Sequence, residues 1–144
     1  MIKKAIFIRL VLIASGAVAA LIGIGIVFVP DVFYGSYQVL LPESVSLRSE
    51  LAGMGGFMLF GGGLMLAGAV KRSLESSALI VGIGFYSAFT LGRLLSFVVD
   101  GAPSSAILAA WMVEAVLLVL IVVATLLCST PPSTLSMDCE SLPT

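Results

Sequence analysis

Four unbroken apolar stretches, at about residues 5–29, 49–70, 77–99 and 105–128, constrain this chain more than any other feature. Each is close to the ~20 residues that an α-helix needs to cross the hydrocarbon core of a bilayer. Strands with open edges would leave backbone groups unsatisfied in lipid, and no ten-residue alternation of polar and apolar residues suggests a barrel, so the spans read as helices. The expected fold is all-α and integral to the membrane: four transmembrane helices in an antiparallel bundle over residues 1–128. A disordered cytoplasmic tail rich in Ser, Thr and Pro follows at 129–144. Charged residues make up 10% of the chain, against about 25% in a soluble domain. Lys3, Lys4 and Arg9 followed by Ala17-Val18-Ala19 resemble a signal peptide, but the apolar run continues to Val29, well past a signal core, and is kept as a span.

Orientation follows from the connections. Lys3, Lys4 and Arg9 lie at the start of the first span and Lys71-Arg72 joins the second to the third. The other connections offer Asp31, Glu43 and Asp100, with Arg48 their only base. Basic connections stay in the cytoplasm, so both termini are expected there, with 30–47 and 100–104 outside. The longer outer connection carries Phe33, Tyr34 and Tyr37 between Pro30 and Pro42, which predicts a turn of helix anchored by aromatics at the interface. A ligand lid is the sharper alternative for it.

Several function classes fall away. A net charge of −1 with no basic run longer than two residues offers no surface for nucleic acid. The chain has no histidine, the commonest general base and transition-metal ligand, and Cys128 and Cys139 fit no CxxC pattern. No Ser or Cys stands beside a credible base, so neither an enzyme, a cofactor nor a metal site is expected. The glycines of the second span, LAGMGGFMLFGGGLMLAGAV, belong to no Walker or Rossmann loop, which need a strand before them. In lipid, small residues let helix backbones approach closely. Ala52, Gly56, Gly63 and Ala67 form one stripe, with Gly61 and Gly68 almost opposite. On the third span Gly84, Ala88, Gly92 and Ser96 recur in fours, and the first offers Gly16, Ala20 and Gly23. Gly56, Gly63, Gly61, Gly68, Gly84 and Gly92 are therefore expected at helix contacts, within the chain or with a second protein.

Arg93 interrupts an otherwise apolar third span, about 10 Å in from Asp100 at ~1.5 Å per residue. Facing lipid it would cost at least ~2 kcal/mol, and side chains on a helix lean toward its N-terminus, so reaching back to the outer surface works against its rotamers. Glu114 lies about 14 Å down the fourth span from the same side, and spans joined by so short a turn are neighbours. Arg93 is expected to pair with Glu114, with Glu50, just inside the second span, as the second acceptor. The faces Gly82–Tyr86–Phe89–Arg93–Phe97, Ala110–Glu114–Leu118–Ile121 and Glu50–Met54–Phe57–Gly61 are expected to converge on this cluster. It serves either as a pin for helix register or as a site that answers to a proton or ligand.

Arg9 opening the first span, Pro-Asp-x-Phe-Tyr-Gly at Pro30–Gly35, SELAGMGG opening the second, and GRLLSFVVDGAPS closing the third together resemble a family of small, four-helix bacterial membrane proteins classed as a domain of unknown function. The resemblance covers the chain to about Cys128 and implies a fold, no activity, and a place in the bacterial inner membrane. Such proteins often carry an arginine where this chain has Ala52, which argues against a fixed catalytic constellation among the outer charges. Two functions remain. One is an accessory or interaction subunit, with the bilayer and a second copy or larger membrane complex as partners. The other is a small transporter, ion path or binder of a lipid- or quinone-type ligand centred on Arg93, Glu114 and Glu50.

Overall fold

The computed structural model describes residues 2–129, which form five α-helices and no strand. They are α1 (Ile2–Phe28), α2 (Pro30–Ser36), α3 (Val45–Val70), α4 (Glu75–Val99) and α5 (Ser105–Ser129), with a single 3-10 turn at Arg72–Leu74 before α4. The four long helices have 27, 26, 25 and 25 residues. At ~1.5 Å per residue they run roughly 38–40 Å, more than the ~30 Å of a bilayer core. All four are apolar enough to cross a membrane, the mark of a multi-pass membrane protein. Their outward surfaces are apolar too: Leu21, Leu91, Leu95, Val98, Val116 and Val119 are all exposed, as suits helices that meet lipid rather than water.

Helix ends follow local chemistry more than hydropathy. Ser44 caps α3 by accepting the Leu47 N–H on its hydroxyl, so that helix starts four residues before the apolar stretch that revealed it. Ser104 does the same for the Ile107 N–H at the start of α5. At α2, Pro30 stands in the first turn, where its missing N–H costs nothing, and Asp31 faces the positive end of the helix dipole. Past α2 the backbone of Gln38 takes a left-handed conformation with φ 62° that turns the chain toward Pro42. Gly101, at φ 95°, does so between α4 and α5, where a side chain would be strained. The tail expected at 129–144 lies, from residue 130 on and including Cys139, outside the described residues.

The closest packing joins α1 to α3. A Cβ on Gly16 would stand 2.8 Å from the Gly62 carbonyl oxygen, and one on Gly23 equally close to the Gly55 carbonyl. One on Gly62 would fall 2.7 Å from both the Gly16 oxygen and the Ala20 nitrogen. Both pairs are spaced by seven residues, two helical turns, so they repeat along one seam where backbones touch. Two further glycines of α3 meet α4. Gly61 packs under the Phe85 ring and Gly68 against Ala78, both on α4. Among the described residues a Cβ on Gly56, Gly63, Gly84 or Gly92 would meet no atom within 4 Å, so none of the four makes a close helix contact within the chain. The reason is angular. Adjacent residues stand ~100° apart around a helix, so with Gly55 and Gly62 on the seam, Gly56 and Gly63 are carried off it.

Packing is uneven along the bundle. Leu12, Ser15, Met65, Leu79, Tyr86 and Ile121 are fully buried in the half that holds the α3–α4 turn. Within it the Tyr86 hydroxyl donates to the Ser15 carbonyl at 2.6 Å, tying α4 to α1. Nearer α2, only Ile26, Met58 and Glu114 are buried among the larger side chains. That half is hollow.

Candidate functional site

Arg93 and Glu114 meet across α4 and α5. The guanidinium presents its side edge, with Nε 2.9 Å from Glu114 Oε2 and Nη2 3.1 Å from Oε1, so both carboxylate oxygens accept a charged donor. The Glu114 side chain is 5% exposed and that of Arg93 32%. A two-point pair of this kind is shorter and more directional than a single contact, which is what two charges removed from water require. The turn at 100–104 sets α4 and α5 side by side, and Trp111 holds them there: its indole N–H donates to the Thr90 carbonyl at 3.1 Å and its ring meets Phe97 edge-on at 5.6 Å. Trp111 and Glu114, three residues apart, thus brace the same stretch of α4.

The pair forms part of the wall of a cavity of about 150 Å³. Ile22 and Ile26 of α1, Met54 and Met58 of α3, Phe89 of α4, and Ile107 and Ala110 of α5 supply its apolar sides. Its roof is α2 and the residues after it: Phe33, Tyr34, Tyr37 and Val39. Phe33 meets Tyr34 and Tyr37 edge-on at 5.3 and 5.2 Å, and Gly25 makes room for it, since a Cβ there would stand 2.7 Å from the Phe33 ring. Burial, the largest influence, raises the Tyr34 pKa above its ordinary 10.0, with the Arg93 charge pulling it down and Tyr37 pushing it up. Its hydroxyl remains a donor at physiological pH. Two polar contacts hold the roof. Arg48 Nη2 bonds both Asp31 carboxylate oxygens at 3.1 Å, and the Ser104 hydroxyl donates to the Tyr37 carbonyl at 3.3 Å.

The sequence placed Arg93, Glu114, Met54, Phe89 and Ala110 on faces that meet, and all five line this cavity. Glu50 does not join them. It is exposed, and among the described residues it makes no hydrogen bond or ion pair. Glu114 already meets the guanidinium at two points, while Glu50 lies one helical turn beyond Met54, toward the end of α3. Two things were missed. The first span supplies two walls, Ile22 and Ile26, which look like any other apolar residues. Asp31 and Arg48, read only as loop charges, are partners. The aromatics of the outer connection, read as interface anchors with a ligand lid as the alternative, roof the cavity.

Among the described residues no cluster of His, Cys, Asp or Glu could hold a metal ion. Chemically, the site can bind: it offers an apolar chamber of one-ring size with guanidinium and phenol donors on its wall. No curated protein and no solved structure matches the chain. Residues 7–125 match the model of a domain of unknown function, DUF4345, and the chain belongs to that family.

Proposed function

We propose that this chain is a four-span protein of the cytoplasmic membrane that binds a small amphiphile of lipid or quinone type, its polar end against Arg93 and its apolar body in the cavity. The observation that carries this reading is the chamber itself, apolar on every side except where Arg93, Glu114 and the tyrosines stand. A pair serving only to fix helix register needs no empty space beside it. The bundle is antiparallel, a reading supported by the Gly16–Gly62 and Gly23–Gly55 contacts, and both termini lie in the cytoplasm on the side of Lys3, Lys4, Lys71 and Arg72. Protein purified in mild detergent and extracted with organic solvent should release a near-stoichiometric amphiphile, detected by mass spectrometry. Ala110→Phe, which fills the chamber, should reduce it at least tenfold. Equal content in both proteins would remove the proposal.

One observation favours a second reading, an accessory subunit of a homo-oligomer or larger membrane complex. The open glycines Gly53, Gly56 and Gly63 give α3 a surface that a second backbone can approach closely. Co-purification in mild detergent, compared between the wild type and Gly63→Leu, tests it; unchanged particle size and composition would set it aside.

A further inference from the structure

The chamber's chemistry narrows the ligand, and a second feature narrows its path. Of the five N–H donors of the Arg93 guanidinium, two are used by Glu114, and the others make no hydrogen bond among the described residues. Glu114 also balances the charge of Arg93 one for one. An anionic head group on Arg93 would bring a second negative charge beside a carboxylate that is nearly all buried, where like charges repel strongly. A cation would stand beside the Arg93 guanidinium, whose like charge repels it, and Glu114 is already balanced by Arg93. The head group that suits the site is neutral and carries an oxygen acceptor for the guanidinium and the Tyr34 hydroxyl. Size sets the rest, because an apolar cavity of about 150 Å³ takes one six-membered ring. Phe33, Tyr34, Tyr37 and Phe89 offer that ring aromatic faces.

Anything attached to the ring must leave the chamber, and an open groove lies against its wall. Tyr34, Met54, Phe89 and Arg93 line both spaces, and beyond them the groove runs over Ala88, Gly92 and Ser96, all exposed on the outside of α4. A Cβ on Gly92 would meet nothing within 4 Å, so the floor of the groove is clear. This side of the bundle faces lipid in the four-span reading.

Resting on the proposed binding function, we infer that the ligand is a lipid with a neutral, carbonyl-bearing ring, as in a quinone, whose ring occupies the chamber against Arg93. Its tail passes between α3 and α4 over Gly92 and Ala88 into the bilayer. The ligand then enters sideways from the membrane and never crosses water.

Trp111, the only tryptophan of the chain and three residues from Glu114, reports on the site by fluorescence quenching. The probes are tetramethyl-benzoquinone, the same ring with one methyl lengthened to decyl, and decanoate, titrated into the full chain in detergent. The decyl quinone should quench saturably and at least tenfold more tightly than the tailless ring, and decanoate should not displace it. Gly92→Leu and Ala88→Leu, each checked by thermal unfolding, should bring the decyl quinone down to the affinity of the tailless ring and leave the latter unchanged. A tail advantage that survives in both folded variants overturns the sideways route. Displacement by decanoate at comparable affinity overturns the neutral head group. If wild-type protein yields an extracted amphiphile that Ala110→Phe lacks, yet neither quinone binds saturably, this inference fails while the binding function stands; if that extract is also unchanged, both fail.

Discussion

Arg93 and Glu114 hold each other at two points in a setting with little water, and the cost of separating them is asymmetric. Removing one partner leaves a charge uncompensated, whereas replacing both with apolar side chains can be nearly neutral. Arg93→Leu should destabilise by on the order of 3–5 kcal/mol, because the charge it strands is that of Glu114, only 5% exposed. Glu114→Leu should cost less, since the cation it strands keeps about a third of its surface exposed. The double variant should recover most of the loss in a detergent melting experiment while failing to retain the extracted amphiphile. Full recovery of both would make the pair a register pin alone. This contact was legible in the sequence because both residues are measured from one short turn, and a helix rise of ~1.5 Å per residue fixes their depth. Glu50 was not, because it shares the face of Met54 but lies one turn nearer the helix end, and how α3 is offset along the bundle cannot be measured from the short turn between α4 and α5. The Tyr86–Ser15 bond was hidden for another reason: its acceptor is a backbone carbonyl, which every residue has.

At the scale of elements, the seam between α1 and α3 and the open face of α3 differ by one residue in the sequence and should differ widely in tolerance. Gly62→Leu drives a side chain into the backbone of Gly16 and Ala20, which cannot yield without moving the helices apart; Gly63→Leu enters open space. The first should abolish a monodisperse peak in detergent or lower the melting temperature by ten degrees or more, and the second should leave the monomer's melting temperature within a few degrees. Equal behaviour of the two would refute the seam. Four long helices were legible from length and apolarity alone, since lipid admits few alternatives. Which glycines touch was not. A helix with glycine on several faces presents equally plausible stripes, and the choice depends on the partner's small residues, Gly16 and Gly23, being two turns apart. The inward lean of α2 was only half readable: aromatics serve an interface and a cavity roof with the same composition, so anchor and lid both stood open.

In the proposed orientation of the whole molecule, α2 and the chamber lie on the outer side of the membrane and the densely packed half toward the cytoplasm. A single cysteine at position 102, exposed in the same turn, in a chain freed of Cys128 and Cys139 should react with an impermeant thiol reagent applied to intact cells, and one at position 74 should not. The opposite pattern would invert the topology and move the chamber to the other leaflet. The pairing of Arg93 with a residue on the last helix also sets a schedule for biogenesis. Arg93 leaves the ribosome 21 residues ahead of Glu114, a lag of roughly one to four seconds at ~5–20 residues per second. Through that interval α4 carries an uncompensated cation at the translocon, and only the arrival of α5 relieves it. A chain terminated and released after Pro103 should therefore integrate less efficiently than the same chain with Arg93→Leu, and a chain long enough to complete α5 should erase the difference.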